Sequence, residues 1–280
     1  MGRHKERVAY IFGNDSYPNG KALFGARNDA ALMEETLGAC GFQTMKFTDL
    51  KLADFSGKIE EFKKRCEETD VCLFYYAGHG FEYKGDNYLC PIDARNDDIE
   101  ATNINISNLV DGVSKDRNFV CIVILDCCRN IMNRERGIDV YKPMTADFKN
   151  RGGTFVAYAT SSGQGAMEKG GHGLYTGLLC KHISGSRKPI EQIFKNVRKE
   201  LLQEGGVTQI SWEYSSLVED FYFLQQEERQ DMGDLVKEVW EMGYSYTQMV
   251  DRVERYCEQR HIQDRDGIIF AVLNEVDKMG

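Results

Sequence analysis

The sequence predicts an α/β fold, a mostly parallel sheet flanked by helices with a small carboxyl-terminal helical module. Three observations predict it. Short apolar runs at residues 7–12, 71–76 and 119–125 alternate with amphipathic segments of helical period. Several of those runs are apolar at successive positions, the pattern of strands covered on both faces by helices. Finally, the polar stretch QQEERQDMG separates this alternation from a last segment of helical spacing only.

RVAYIF, residues 7–12, is β-branched and aromatic, and the turn-rich GNDSYPNG ends it. In FGARNDAALMEETLGACGF, Ala30, Met33, Leu37 and Cys40 recur at helical spacing until Gly41 stops the helix. FQTMKF, residues 42–47, returns to strand alternation, and KLADFSGKIEEFKKRCEE is again an amphipathic helix. The runs 71–76 and 119–125 are buried strands, with a small hairpin and a helix near residues 104–114 between them. GTFVAYA, residues 153–159, is a further strand, and SLVEDFYF, residues 216–223, is the expected last one. The domain plan is therefore 1–224 for the α/β unit, 225–232 for a linker and 233–280 for about three short helices.

At 280 residues and 42% hydrophobic, the chain suffices for one sizeable core and a small second unit. No stretch approaches the about 18–20 apolar residues that span a bilayer, and MGRHKERVAYIFG lacks a signal-peptide core, so an intracellular, cytoplasmic location is expected. A net charge of −9 with interspersed signs argues against binding nucleic acid or anionic membranes. Nine cysteines without a CxxC pair fit neither a disulfide scaffold nor a structural zinc site. No metal or other cofactor is expected.

Chemistry concentrates at two strand ends. VCLFYYAGHG, residues 71–80, ends in His79 between two glycines, and VCIVILDCCRN, residues 120–130, ends in Asp126, Cys127 and Cys128. In doubly covered parallel sheets the working groups gather beyond the carboxyl ends of the strands. A cysteine nucleophile needs a base within hydrogen-bond reach and N–H donors around the oxyanion, and two adjacent strand tips provide both. Glycines beside His79 would let a substrate backbone approach, with the Gly80 and Cys128 amides aimed at the oxyanion.

With these residues the sequence resembles the caspase-like cysteine peptidases of family C14, in the paracaspase and metacaspase branch. The resemblance runs from about Arg7 to Phe223 through ARNDAALMEETLGACGF, YYAGHGFEYKGDNYLCPIDA, VILDCCRN, YATSSGQGAMEKGGHGLYTGLL and WEYSSLVEDFYF. A histidine about 50 residues before the cysteine belongs to the known caspase signature, so the spacing here is a match to that pattern and not a derivation. The resemblance implies a caspase-like fold, His79 as general base and leaving-group acid, Cys128 as nucleophile, and the Gly80 and Cys128 amides as oxyanion hole. The family pattern, with an acid two positions before the nucleophile, selects Cys128 over Cys127 and leaves Cys127 turned into the core.

True caspases hold an aspartate side chain with arginines, one of them several residues ahead of the first helix's aspartate, and Leu23 stands at that position here. The paracaspase-like pocket instead surrounds arginine or lysine with carboxylates; the resemblance assigns that work to Asp93 and Asp126, with Glu168 contributing. Arginine should fit better than lysine, since two carboxylates accept a guanidinium in forked geometry. In many relatives the connector after the nucleophile is cut by the enzyme itself, which points to Arg134, Arg136 or Lys149. The carboxyl-terminal helices resemble a ubiquitin-associated domain, whose Met-Gly-aromatic turn is matched by Met242, Gly243 and Tyr244. The expected activity is thus an endopeptidase acting on protein substrates with a basic residue before the cut. The alternative is a caspase-like scaffold that binds ubiquitin or a homodimer partner without turnover.

Overall fold

The computed structural model describes residues 6–18, 22–84, 86–95, 97–110, 119–127, 130–131, 153–159, 168–169, 171–204, 209–224, 226–259, 262 and 265–279. Along the chain, β1 (Arg7–Gly13) leads to α1 (Ala26–Ala39), β2 (Gln43–Thr48), α2 (Leu52–Glu68) and β3 (Val71–Gly78). The hairpin of β4 (Gly80–Tyr83) and β5 (Asp86–Leu89) follows, then α3 (Ile99–Thr102), β6 (Ile104–Asn105) and α4 (Ser107–Val110). Next come β7 (Val120–Cys127), β8 (Asn130–Ile131), β9 (Thr154–Tyr158), β10 (Glu168–Lys169) and β11 (His172–Gly173). α5 (Leu174–Ile183), α6 (Ile190–Gln203) and β12 (Trp212–Ser215) complete the α/β unit. α7 (Gln226–Glu241), α8 (Tyr246–Gln259) and α9 (Arg265–Val276) follow it.

The main sheet has the order β12-β9-β7-β3-β1-β2, parallel throughout except for β12, which runs antiparallel to β9 at the edge. The pleat sends alternate residues to opposite faces. On one face Cys121, Val123, Leu125 and Cys127 of β7 pack with Phe55, Ile59 and Phe62 of α2. On the other, Ile122 and Ile124 share a core with Met33 and Leu37 of α1, Leu179 of α5, and Phe194 and Val197 of α6. Each such side chain contributes about 1.5–3 kcal/mol by leaving water, which is why the strands are apolar on both faces. Asp126 continues the second face at its carboxyl end. The chain leaves β1 for β2 on one side and returns to β3 on the other, which opens a crevice beyond the carboxyl ends of β1 and β3.

Two expectations are corrected. The last strand is Trp212–Ser215, paired with Phe155–Tyr158, and lies before 216–223. Phe221 and Phe223 instead bury beside α1 and α6, with the Phe223 carbonyl accepting from the Arg7 guanidinium and the Phe221 carbonyl from the Ile190 N–H at 2.8 Å. Their alternation reflected one buried face, which the helices supply without a ladder. The stretch expected as a linker belongs to α7, which begins at Gln226. Its Gln, Glu and Arg residues are good helix formers, so polarity there marks the first turns of a helix. Met232, Leu235, Val239, Val253, Ile268 and Val272 then form a core separate from the sheet's two. Among the described residues no helix is long and apolar enough to cross a membrane.

Candidate active site

His79 sits in the single-residue break between β3 and β4, half-buried at the crevice. Its carbonyl accepts from the Cys90 N–H at 3.0 Å, where β5 ends, so the hairpin folds back onto the histidine. Both flanking glycines answer to inward crowding. At Gly78, with φ +156°, a Cβ would stand 2.5 Å from Tyr76 Oη and 2.8 Å from Tyr17 Oη. At Gly80 it would stand 2.7 Å from Cys127 Sγ. Close packing inside the protein therefore requires these glycines, whereas the sequence suggested room for substrate. Cys127 is 5% exposed and lies in the core on the α2 side.

Asp126 ends the opposite face, and only 6% of it is exposed. Thr176 of α5 donates to its Oδ2 at 2.6 Å, and Tyr75 Oη lies 2.5 Å from the same threonine hydroxyl. Tyr75 must then donate to Thr176, and it keeps its proton: burial, then the Asp126 and Asp29 charges, hold its hydroxyl well above the usual range. Asp29, in the first turn of α1 and 4% exposed, accepts the Gly173 N–H through both oxygens at 2.9 and 3.1 Å. A Cβ at Gly173 would meet Asp126 Oδ2 at 2.8 Å and Asp29 Oδ2 at 2.9 Å, so two buried carboxylates flank one glycine. His172 Nδ1 stands 3.4 Å from Asp29 Oδ1 at the outer side. Two carboxylates held this close together repel each other when ionised, and a cation arriving between them relieves that repulsion.

Asp29 is the carboxylate that sequence reasoning missed. The signal was present, since it falls on the buried stripe of α1 with Ala26, Ala30 and Met33. Asp93, expected in this pocket, is engaged elsewhere. Its Oδ1 accepts the Leu52 N–H at 2.8 Å and satisfies a donor at the start of α2. Its position after Pro91 is a turn beside α2, which the spacing from His79 alone does not reveal. Glu168 is Cα-paired with Gly173 in the β10–β11 ladder, which brings its backbone to the edge of the pocket. Cys128, Arg134, Arg136 and Lys149 lie outside the described residues.

Burial pushes the Cys90 and Cys180 thiols up to about 12 and the Cys66 thiol higher still, so these three stay protonated near neutral pH. Among the described residues no cluster of His, Cys, Asp or Glu is arranged to hold a metal ion. In the carboxyl-terminal unit, Met242 is 64% exposed before the Gly243 turn of φ +59°. Tyr244 packs partly against the α7–α9 core, with its hydroxyl 3.5 Å from Glu238 Oε1.

Residues 6–222 match the caspase domain of peptidase family C14. The mucosa-associated lymphoid tissue lymphoma translocation protein 1 homolog of Mus musculus is 26% identical over 179 residues, 64% of this chain and 21% of that protein. A paracaspase of Dictyostelium discoideum is 27% identical over 132 residues, 45% of this chain and 32% of its own length. The chain thus spans well under half of either relative. Caspase-1 from Spodoptera frugiperda shares the fold, with a TM-score of 0.61 at 16% identity over 80% of this chain and 92% of that one.

Proposed function

Because the chain belongs to the caspase-domain family, over a stretch that contains the whole site described above, we propose that it is a cysteine endopeptidase cleaving after arginine, with lysine second. The observation that carries this reading is the pair of buried carboxylates, Asp29 and Asp126, whose Oδ2 atoms stand 2.9 and 2.8 Å from where a Cβ on Gly173 would be. A guanidinium entering there meets an acceptor from each side, and each charge-assisted hydrogen bond is worth about 1.5–3 kcal/mol. A lysine ammonium carries the charge without the planar fork.

Cys128 is the nucleophile and His79 the base. The β3–β7 register supports the pairing: it ends on Gly78↔Cys127, and His79 and Cys128 are the residues that follow these two in the sequence. Cys66, Cys90 and Cys180, buried and protonated, are poor candidates for that role. His79 takes the Cys128 proton, the thiolate adds to the carbonyl carbon, and the Gly80 and Cys128 amides receive the oxyanion. His79 then hands the proton to the departing amine, and water hydrolyses the thioester. Self-cleavage at Arg134, Arg136 or Lys149 belongs to the same specificity.

The test is active-site titration with an arginyl-peptide chloromethyl ketone and its aspartyl counterpart. One equivalent of the arginyl reagent should label Cys128, and the aspartyl reagent should label slowly. Preferential aspartyl labelling would overturn the acidic pocket, and no labelling at all would favour the scaffold reading. That second reading rests on the separate α7–α9 core and the exposed Met242, which support recognition of a protein partner, ubiquitin first. Edge strand β12, with Trp212 and Tyr214 partly exposed, supports a homodimer.

A further inference from the structure

We propose that Tyr17 is a positioning residue for His79, fixing the histidine at the end of β3 through a closed ring of hydrogen bonds to its backbone N–H and carbonyl. This inference rests on His79 as the base of the peptidase just described. Tyr17 comes from the loop after β1 and His79 from the end of β3, so they meet at the crevice where the sheet order reverses. The His79 N–H donates to Tyr17 Oη at 2.9 Å. Tyr17 Oη and Tyr76 Oη are 3.2 Å apart, and Tyr76 Oη donates to the His79 carbonyl at 2.8 Å.

Proton bookkeeping closes the ring in one direction. Tyr76 has one hydroxyl proton, which faces the His79 carbonyl at 2.8 Å and the Cys90 carbonyl at 3.0 Å. With Tyr76 donating to either carbonyl, Tyr17, whose other acceptor is the Cys90 carbonyl at 3.4 Å, supplies the proton between the phenols while its oxygen accepts from His79. The arrangement needs both phenols neutral, and burial holds both well above the ordinary tyrosine range. Tyr17 also lies against the imidazole itself, with ring centroids 4.4 Å apart at 51°. The phenol oxygens of both tyrosines would crowd a side chain at residue 78, so Gly78 is required for the ring to form. The two tyrosines are not equivalent. The His79 carbonyl keeps the Cys90 N–H if Tyr76 is lost, whereas the His79 N–H has Tyr17 as its acceptor and the imidazole has the Tyr17 ring.

The test uses the full chain with Tyr17→Phe, Tyr17→Ala and Tyr76→Phe, each normalised to titrated active sites. Tyr17→Phe keeps the ring and removes the acceptor. It should lower kcat for an arginyl peptide about 10- to 100-fold, since small misplacements of a reacting group have effects of that size. KM should stay within about two-fold, because the pocket stands on other elements. Tyr76→Phe should lose less than Tyr17→Phe, and Tyr17→Ala more. A second readout is independent of turnover: with carbon-13 at histidine Cε1, and His79→Gln to assign the resonance, Tyr17→Phe should shift or broaden the His79 signal alone. Turnover within two-fold of wild type, equal losses in kcat and 1/KM, or an unmoved His79 signal would each overturn the proposal. If the wild type cleaves no arginyl peptide, the peptidase reading fails, and the His79 signal decides the positioning role by itself.

Discussion

Asp29→Asn separates the charge of the pocket from its shape. Asparagine nearly matches aspartate in volume and retains an amide oxygen to accept the Gly173 N–H, which Asp29 binds at 2.9 and 3.1 Å. What disappears is one of two negative charges around a guanidinium, at a site where Asp29 and Asp126 are 4% and 6% exposed and solvent screening is weak. Exchanging a charge-assisted acceptor for a neutral one there should remove about 2–3 kcal/mol of transition-state binding. That corresponds to roughly a 30- to 160-fold fall in kcat/KM for arginyl substrates. The assay is steady-state cleavage of a fluorogenic arginyl peptide, normalised to titrated sites, with Tm measured alongside. Relief of like-charge repulsion should leave Tm unchanged or raised. Activity within three-fold of wild type, or a large fall in Tm that accounts for the loss, would refute the pairing of Asp29 with Asp126.

Asp93→Ala should act on α2: losing the acceptor for Leu52 costs about 0.5–2 kcal/mol of stability and lowers Tm by a few degrees, with kcat/KM per active site unchanged. Cys128→Ala should abolish cleavage of the arginyl peptide. Cys127→Ala, in the core behind Gly80, should lose stability and keep turnover per folded molecule. Asp49 gives a pH signature in unfolding experiments. Burial pushes its carboxyl up, but the Ser16 and Asp15 N–H groups, the Ser16 hydroxyl and Arg27 outweigh this and hold it below its ordinary 3.8. A depressed folded pKa contributes stability that is present above the unfolded value and lost as pH falls through the folded one. Denaturant midpoints should therefore drop below about pH 4, and Asp49→Asn should flatten that part of the curve.

Strands β1, β3, β7 and β9 were legible because burial on both faces leaves consecutive apolar residues, and α1 and α2 because one buried face leaves a helical stripe. The strand ends at Gly78 and at Asp126–Cys127 were legible, because apolar runs stop there. The Trp212–Ser215 strand was not, since an edge strand with one covered side has a weak pattern, and the stronger alternation of 216–223 belonged to an irregular segment. The start of α7 was hidden because a polar helix end and a linker share a composition.

By itself the sequence determined the alternating α/β plan and the family, and it marked two strand tips as the candidates for the chemistry, all of which depend on local pattern. Only the tertiary structure decided which distant groups meet. Asp29 and Asp126 are 97 residues apart in sequence and flank Gly173 because α1 packs against the face on which β7 ends. Asp93, much nearer to His79 along the chain, serves the start of α2 instead. Tyr17 reaches His79 because parallel β1 and β3 deliver their carboxyl ends to the same edge. A carboxylate or a phenol has the same chemistry wherever it lies in the chain, and its role is set by which partners the folded backbone brings within about 3 Å of it.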